Sequence, residues 1–275
     1  MTNGTTRTWF ITGASTGFGR EWTEAALERG DRVVATARRP ESIADYPERF
    51  GDAALALALD VTDREAVFAA VQEARGRFGR IDVVVNNAGY GQFGMVEELT
   101  ERELREQLET NFFGAVWVTQ AVLPVLREQG RGHLLQVTSE GGVRAFPGIG
   151  AYHASKWALE GLSESLWQEV EPLGVRVTNV EPGPYATHWL SRGSRRSAAI
   201  AAYDGVRAAA PGFEAGDPRA TRAAILEIVD AAEPPHRVLL GRSFDEIAAI
   251  YDERLATWRR WQPLALRAFG EGSGD

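Results

Sequence analysis

The stretch Thr12-Gly13-Ala14-Ser15-Thr16-Gly17-Phe18-Gly19 decides the fold. It follows a short apolar run at residues 7–12 and opens a stretch of helical spacing at 20–30, which ends in a glycine. A Gly-rich turn between a strand and a helix lets backbone N–H groups and the helix N-terminus approach a pyrophosphate closely. The same glycines also suit an ordinary tight turn, so the position after a first strand is what favours dinucleotide binding.

Near-continuous apolar runs alternate with helical stretches as far as about residue 181. The runs lie at Arg32–Ala37, 54–59, 81–85, 133–138 and 175–180, and the helical stretches at 63–77, 101–129 and 151–171. Such runs are typical of strands that are buried on both faces. The alternation predicts an α/β fold with a doubly wound parallel sheet of the Rossmann type. We expect a single domain over residues 1–275 with its core at 6–187.

The alternation stops after Pro182. Residues 183–218 are rich in Gly, Ser, Arg and Ala and show no clear strand, so we interpret them as a substrate loop that lies over a site. Beyond them we predict a helix at 217–232 opened by an Asp cap, an edge strand at Arg237–Leu240 and a C-terminal helix at 243–262. The tryptophans of that last helix suit either a cover for the pocket or an interface.

The composition excludes several classes of protein. Of the 275 residues 44% are hydrophobic and 25% are charged, as in ordinary globular chains, and the net charge of −8 gives no general attraction to nucleic acids or anionic membranes. There is no cysteine, and the four histidines (His133, His153, His188, His236) are dispersed, so we expect no metal. No apolar run approaches the ~18 residues of a membrane helix and residues 1–8 are polar, which predicts a cytoplasmic protein.

Lys156 is the only lysine among 30 basic residues. A coding bias toward Arg would explain the other 29, and the retained Lys indicates a role for a compact ammonium that a guanidinium cannot fill. Tyr152 precedes it by four residues, so both lie on one face of the predicted helix. A phenol pKa of ~10 is too high for proton exchange near neutrality, but an adjacent ammonium and a positive nicotinamide ring favour phenolate. Tyr152 is therefore a candidate general acid and base.

Two further polar residues are candidates for the same chemistry. Ser139 ends the fifth predicted strand, where its hydroxyl can bind a carbonyl oxygen. It competes with the adjacent Thr138, or serves as a turn residue ahead of two glycines. Asn111 lies inside the predicted helix 101–129, where Asn is a poor helix former that bonds to backbone or water.

The residues at the end of the second predicted strand indicate whether NAD(H) or NADP(H) binds. An acid at this position hydrogen-bonds the 2′-hydroxyl of NAD, but here Ala37 is followed by Arg38 and Arg39. A guanidinium suits a 2′-phosphate, which predicts NADP(H), with NAD(H) less favoured. The alternative is two solvated arginines at a strand end.

Polar residues also follow the third and fourth strands, at the edge where open α/β sheets bind ligands. Asp60 can reach an adenine edge or cap the next helix. In Asn86-Asn87-Ala88-Gly89, Asn87 mainly braces the neighbouring turns.

In this order and spacing, the residues resemble the short-chain dehydrogenase/reductase family in its soluble form, over about residues 6–187. The motifs are Thr12-Gly-x-x-x-Gly-x-Gly19, Asp60, Asn86-Asn-Ala-Gly89, Asn111, Ser139, Tyr152-x-x-x-Lys156 and Pro182-Gly183. The glycine spacing differs from that of the extended branch, which disfavours dehydratase and epimerase chemistry. The reaction implied is hydride transfer to a carbonyl carbon while a tyrosine protonates the oxygen, or the reverse.

The resemblance assigns roles to individual residues. Tyr152 would be the acid and base, Ser139 would orient the carbonyl, Lys156 would hold the nicotinamide ribose and lower the pKa of the tyrosine, and Asn111 would support a water in a proton relay. The catalytic set is thus Asn111, Ser139, Tyr152 and Lys156. The cofactor-binding set is Gly13, Ser15, Thr16, Gly17, Phe18, Gly19, Arg38, Asp60, Val61, Asn87, Ala88, Gly89, Tyr152, Lys156, Pro182, Gly183 and Thr187.

The partners expected are a small carbonyl or alcohol and a second copy of the chain. Phe93, Phe146, Tyr185 and Trp189 would line an apolar pocket for a lipophilic or aromatic substrate, or would only pack the loop. His188 would contact that substrate or face solvent. Family members associate through helices equivalent to 101–129 and 151–171, which implies a homo-oligomer, dimer or tetramer.

Two other functions use the same kind of fold. A cofactor-binding sensor or scaffold without turnover needs the Gly-rich turn but not the acid and base, so the set of four catalytic candidates argues against it. A methyltransferase finds no support in Tyr152-x-x-x-Lys156.

Overall fold

The computed structural model describes residues 6–187, 189, 193–210 and 212–270. The strands are β1 (Thr8–Ile11), β2 (Arg32–Ala37), β3 (Ala54–Ala58), β4 (Val83–Asn86), β5 (Gly91–Phe93), β6 (Gly132–Val137), β7 (Val175–Pro182), β8 (Ser194–Arg196) and β9 (Arg237–Leu240). The helices are α1 (Gly17–Glu28), α2 (Asp45–Phe50), α3 (Arg64–Phe78), α4 (Glu101–Leu108), α5 (Gly114–Gln129), α6 (Gly150–Val170), α7 (Asp204–Ala208), α8 (Thr221–Asp230) and α9 (Phe244–Phe269).

Seven of the strands form one parallel sheet in the order β3-β2-β1-β4-β6-β7-β9. All four residues of β1 are buried, and successive side chains enter two different cores. Trp9 and Ile11 join the cluster on one face, and Phe10 joins the cluster on the other. Both faces of the sheet are therefore covered, which confirms the predicted doubly wound α/β fold.

The chain reverses its direction of travel across the sheet between β1 and β4. Strands β2 and β3 extend the sheet on one side of β1, whereas β6, β7 and β9 extend it on the other side of β4. The connections that follow β1 and β4 run to opposite sides of the sheet. The loops at the carboxyl ends of these two adjacent strands therefore diverge and leave a crevice between them. The Gly-rich turn after β1 and residues 86–89 after β4 both lie at this crevice.

The predicted helix at 101–129 is interrupted. A π turn at Glu109–Phe113 separates α4 from α5, and Asn111 lies in it. One extra residue per turn shifts the face that the following helix presents, and such turns are frequent at functional sites. Every residue from 101 to 129 is helical, as predicted, but helical periodicity in the sequence does not reveal that one turn is of the π type.

The substrate loop contains a strand that its composition did not indicate. Strand β8 pairs in parallel with β5 to make a separate two-stranded sheet, with Gly91 opposite Ser194. Both strands have only three residues and they lie about a hundred residues apart in the chain. Neither is long enough for an alternating pattern, which is why the expectation of no strand in 183–218 was wrong.

The C-terminal elements follow the prediction in order but not in length. Asp217 accepts a hydrogen bond from the Arg219 backbone N–H at 2.9 Å and so caps the turn that leads into α8. The C-terminal helix runs over Phe244–Phe269 and not over 243–262, because Pro263 does not end it. None of the helices in the described ranges is long and apolar enough to cross a membrane.

Candidate active site

Glycine is required at two positions of the turn after β1. Gly13 has φ +67°, and a Cβ there would lie 3.0 Å from the Ala88 Cα. At Gly19 a Cβ would lie only 2.2 Å from the Gly13 carbonyl oxygen and 2.5 Å from the Asn87 Nδ2. Both positions are therefore closed to larger residues, and the turn packs directly against the loop after β4.

Thr12 and Asn87 hold these two loops together. The Thr12 hydroxyl accepts hydrogen bonds from the backbone N–H groups of Asn87 and Ala88, each at 3.0 Å. The Asn87 amide donates to the carbonyl oxygens of Thr12 and Gly13, at 2.9 and 3.1 Å. The structure thus places Asn87 as the brace that we expected.

The first turn of α1 opens toward the crevice. Thr16 occupies the N-cap with extended backbone, no described side chain caps the helix, and the first turn carries no acid. Ser15 and Thr16 are partly or fully exposed beside it. A helix N-terminus with free backbone N–H groups and a glycine cradle binds anionic oxygen atoms, so these residues fit the pyrophosphate of a dinucleotide.

Arg38 lies at the rim of the same crevice. It is exposed at the end of β2, and within the described part of the chain no carboxylate forms an ion pair with it. Burial raises the pKa of Tyr90, the residue after the β4 loop, and the charges of Arg195 and, to a smaller extent, Arg38 oppose that change. Arg38 is thus an exposed guanidinium at the carboxyl end of β2, on the edge of the sheet where the Gly-rich turn also lies.

Asp60 and Val61 differ in burial: the Asp60 side chain is exposed and that of Val61 is buried. The Asp60 carboxylate is exposed and accepts hydrogen bonds from the Thr62 backbone N–H and hydroxyl, at 3.0 and 2.8 Å. The cap of α3 is Asp63, whose carboxylate accepts from the Ala66 N–H at 3.0 Å, so Asp60 does not cap that helix. The Val61 side chain is buried in the core against Gly114, which leaves only its backbone for a ligand.

The start of the substrate loop reaches the Gly-rich turn. A Cβ at Gly17 would lie 3.5 Å from the methyl carbon of Thr187, so Thr187 lies directly over the start of α1. The Pro182 carbonyl accepts a hydrogen bond from the Ser139 hydroxyl at 3.3 Å, and the Gly183 N–H donates to the Leu240 carbonyl at 2.8 Å. These contacts bring the predicted residues Pro182, Gly183 and Thr187 to the crevice.

Tyr152 and Lys156 lie together on the buried side of α6. The Lys156 ammonium donates to the Val137 carbonyl at 2.7 Å and lies 5.7 Å from the centroid of the Tyr152 ring. Burial lowers the pKa of Lys156 to about 8, although the Glu160 carboxylate opposes the change. The side chain is thus mainly an ammonium at neutral pH.

Burial raises the pKa of Tyr152 to about 12. The Glu140 carboxylate also raises it, and a hydrogen bond with Ser139 is the effect that lowers it. Lys156 lies 5.7 Å from the centroid of the same ring, and the lowering of the tyrosine pKa that the resemblance assigns to it stays a prediction. A neutral phenol at pH 7 is a proton donor.

Asn111 uses both ends of its amide on protein groups. Its Oδ1 accepts from the Tyr90 N–H at 3.0 Å, and its Nδ2 donates to the Tyr90 carbonyl at 3.0 Å and to the Ser155 hydroxyl at 3.1 Å. A Cβ at Gly89 would lie 3.1 Å from Asn111 Oδ1 and 3.7 Å from Lys156 Nζ. The π turn therefore places Asn111 where it joins the loop after β4 to the helix of Tyr152.

Two residues that the sequence analysis did not select also shape the site. His153 Nε2 accepts from the Phe146 N–H at 3.2 Å and its Nδ1 lies 2.8 Å from the Gly141 carbonyl oxygen, so its neutral form holds the segment after Ser139. Burial lowers the pKa of His153, which favours that form. Tyr90 has a buried hydroxyl without a hydrogen-bond partner among the described residues. The sequence offered one signal for each of these two residues, which is position: His153 follows Tyr152, and Tyr90 follows Gly89.

The structure divides the four predicted lining residues. Trp189 lies edge-on to Tyr152, with ring centroids 5.1 Å apart, and contacts Phe93 at 5.6 Å. Tyr185 instead packs on Phe18 at 5.1 Å, and Phe146 packs on His153 at 4.6 Å with almost half of its surface exposed. Of these four residues, Trp189 thus borders the Tyr152 ring and Phe93 packs against Trp189. His188 lies outside the described residues.

Comparisons with known proteins identify the family of this chain. The family model described as short chain dehydrogenase matches residues 7–197. Oxidoreductase BOA17 of Botryotinia fuckeliana is 40% identical over 270 residues, which are 95% of this chain and 98% of the relative. The 3-ketodihydrosphingosine reductase of Bacteroides thetaiotaomicron is 37% identical, over 84% of this chain and 86% of the relative.

Solved structures show the same architecture. A short-chain dehydrogenase from Streptomyces avermitilis has a TM-score of 0.89 at 40% identity and covers 96% of this chain and 99% of its own. An alcohol dehydrogenase from Thermococcus sibiricus, complexed with 5-hydroxy-NADP, has a TM-score of 0.73 at 27% identity, over 86% of this chain and 96% of its own. The 3-ketoacyl-(acyl-carrier-protein) reductase from Brucella melitensis, complexed with NADH, has a TM-score of 0.74 at 26% identity, over 85% and 96%.

Proposed function

Because the chain belongs to the short-chain dehydrogenase family, we propose that it is an NADP(H)-dependent oxidoreductase that interconverts a lipophilic or aromatic carbonyl and its alcohol. The observation that carries the proposal is the position of Tyr152. Its ring lies between the ammonium of Lys156 and the indole of Trp189, on the helix that borders the crevice. A proton donor, a cation and an apolar surface meet at this point, which suits the reduction of an apolar carbonyl compound.

The proposed mechanism uses the side chains as follows. The substrate carbonyl oxygen accepts hydrogen bonds from the hydroxyl groups of Tyr152 and Ser139, which polarise the carbon toward hydride. Tyr152 then transfers its proton to the oxygen as negative charge develops there. Burial raises the pKa of Tyr152 to about 12, so at neutral pH the phenol carries the proton that reduction of a carbonyl consumes.

Lys156 and Asn111 act through position and charge. The Lys156 ammonium is fixed by its bond to the Val137 carbonyl and lies near Gly89, so it would hold the ribose of the nicotinamide half of the cofactor. Asn111 holds the Tyr90 backbone and, through Ser155, the turn of α6 that carries Tyr152. When bound, the nicotinamide supplies or accepts the hydride.

The substrate class is proposed from the lining. Phe93 and Trp189 give an apolar surface beside Tyr152, which supports a lipophilic ketone or aldehyde. The likeness to a reductase named for a long-chain ketone, 3-ketodihydrosphingosine, supports the same class.

Consumption of NADPH with a panel of aliphatic, aromatic and polycyclic carbonyls tests the proposal. We expect carbonyl-dependent turnover, faster with the apolar members of the panel and faster with NADPH than with NADH. The reverse reaction, with alcohols and NADP, is run in parallel. Tight binding of NADPH without turnover in either direction would contradict the proposal and favour a cofactor-binding sensor.

Replacing Arg38 by Ala is expected to lower the affinity for NADPH about 10- to 100-fold and to leave that for NADH nearly unchanged. The reason is that a hydrogen bond to a charged group contributes about 1.5–3 kcal/mol. The measurement is a fluorescence titration of each nucleotide. Arg32→Ala is the matched control, because Arg32 lies on the same strand at its opposite end. An unchanged ratio of the two affinities in Arg38→Ala would remove the assignment to NADP(H).

A further inference from the structure

The small sheet of β5 and β8 turns two different faces to its surroundings. Phe93 and Arg196 lie opposite each other and form one pair of this sheet. Arg195 belongs to the preceding pair, and successive residues of a strand point to opposite faces. Arg195 forms an ion pair with Glu106 of α4, so its face of the sheet is turned toward α4. Phe93 and Arg196 therefore lie on the other face.

That other face adjoins the candidate general acid. A Cβ at Gly91 would lie 2.4 Å from the Trp189 ring, so this indole lies directly on the backbone of β5. The ring of Phe93 lies 5.6 Å from the same indole, which in turn lies 5.1 Å from the ring of Tyr152, between centroids. The apolar surface that begins at Tyr152 thus continues along one face of the small sheet.

Arg196 lies at the far end of this row of rings. The central carbon of its guanidinium is 4.6 Å from the centroid of the Phe93 ring, and its side chain is exposed. Arg195 and Arg207, the other arginines that the structure describes within 183–218, both pair with glutamates. No carboxylate of the described residues forms an ion pair with Arg196. Its positive charge is therefore available to a ligand.

The backbone that carries Arg196 is fixed on both sides. The N–H of Ser197, the next residue, donates to the Phe93 carbonyl at 2.8 Å. The Ile200 N–H donates at 2.7 Å to the almost fully buried carboxylate of Glu98, which also pairs with Arg207. A charged group on an anchored backbone needs little ordering when it binds a ligand. The position of this cation relative to the row of rings is thus defined before a substrate enters.

We propose that Arg196 binds a carboxylate of the substrate, which is then a carbonyl compound with an apolar body and an anionic end. The inference rests on the proposed function and extends it. The reacting carbonyl lies at Tyr152, the apolar body along Trp189 and Phe93, and the carboxylate at Arg196. A guanidinium matches a carboxylate with two parallel hydrogen bonds. One guanidinium balances one negative charge, which fits a carboxylate better than a phosphate that carries nearly two.

Reduction of keto acids and of their methyl esters with NADPH tests this preference. We expect kcat/KM of the wild type to be about tenfold or more higher for the best keto acid than for its methyl ester, because only the acid forms the charge-assisted pair. The number of carbons between the carbonyl and the carboxylate is varied, so that one acid spans the row from Tyr152 to Arg196. The preference should weaken as salt is added, since salt screens the pair.

Arg196→Gln is expected to remove the preference for the acid. Its KM for the keto acid should rise about tenfold to that of the ester, whereas the ester and the affinity for NADPH should be unaffected. Arg196→Glu should reverse the preference. Arg195→Gln is the matched control, because it makes the same change of charge on the other face of the same strand and should keep the ratio of acid to ester. A merely structural role of Arg196 would lower the rates with acid and ester equally.

Binding without turnover separates this inference from the proposed function. Decanoate and decanamide, which share one apolar chain, are titrated by calorimetry into the protein in the presence of NADP. We expect the wild type to bind decanoate about tenfold more tightly, and Arg196→Gln to bind both equally. If this preference were found but no carbonyl compound were reduced, the proposed function would fail and the carboxylate site would stand.

Two results would overturn the inference. One is a wild type that binds decanoate no more tightly than decanamide and reduces keto acids no better than their esters. The other is a preference for the acid that survives in Arg196→Gln. In both cases reduction of neutral ketones with NADPH would leave the proposed function in place.

Discussion

Replacing Tyr152 by Phe is expected to lower kcat for carbonyl reduction by about 10²- to 10⁴-fold, which is the usual contribution of a general acid. Phe keeps the ring and its contacts with Trp189 and with the Lys156 ammonium, and removes only the hydroxyl. The loss should therefore fall on kcat and hardly on the affinity for NADPH. Steady-state kinetics together with a nucleotide titration of the same variant measure both quantities.

Two outcomes would contradict this assignment. Turnover of Tyr152→Phe near the wild-type rate would mean that another group protonates the substrate. An equal loss of NADPH affinity would mean that the hydroxyl supports the site and not the reaction. Ser139→Ala tests the role of the neighbouring serine separately. This variant keeps the Tyr152 phenol and removes the Ser139 hydroxyl, which lowers the pKa of that phenol.

Gly19→Ala is expected to weaken NADPH binding about 10- to 100-fold and to lower the unfolding temperature. The new Cβ would lie 2.2 Å from the Gly13 carbonyl oxygen and 2.5 Å from the Asn87 amide, so the turn and the loop after β4 must separate. Overpacking of this kind costs about 1–3 kcal/mol. A nucleotide titration and a thermal unfolding curve of the same sample give both effects.

Gly76→Ala is the matched control for that substitution. Gly76 lies inside α3, and a Cβ there would meet no atom within 4 Å. Ala is a better helix former than Gly, so this variant should be slightly more stable than the wild type and bind NADPH equally well. If Gly19→Ala behaved in the same way, the turn would not be the phosphate cradle that its geometry indicates.

The fold was predictable from local patterns. Apart from the edge strand β9, each strand of the main sheet is a short run whose side chains enter the cores on both faces, so apolarity and spacing alone identify it. The Gly-rich turn was equally visible, because close approach of two backbones allows no other residue at Gly13 and Gly19. Elements without such a pattern, β5, β8 and the π turn at Glu109–Phe113, were not predicted.

The sequence also identified the candidate residues of the site, but it did not predict all of their contacts. Tyr152 and Lys156 share a helix face at the predicted spacing, and Asn87 braces the Gly-rich turn as expected. The bonds of Asn111 to the backbone of Tyr90 depend on a shift of register within the helix. The separation of Trp189 and Phe93 from Tyr185 and Phe146 depends on how the substrate loop returns over the sheet.

The sequence by itself determined the layered α/β architecture, the crevice and the candidate groups for proton transfer. These follow from periodicity and from side-chain chemistry, which act over a few residues. Only the tertiary structure decided the pKa of Tyr152, because burial beside Glu140 and Ser139 brings together groups from β6, its following turn and α6. It alone decided which aromatic rings border that phenol and which face of α9 remains exposed, since both depend on contacts between segments far apart in the chain.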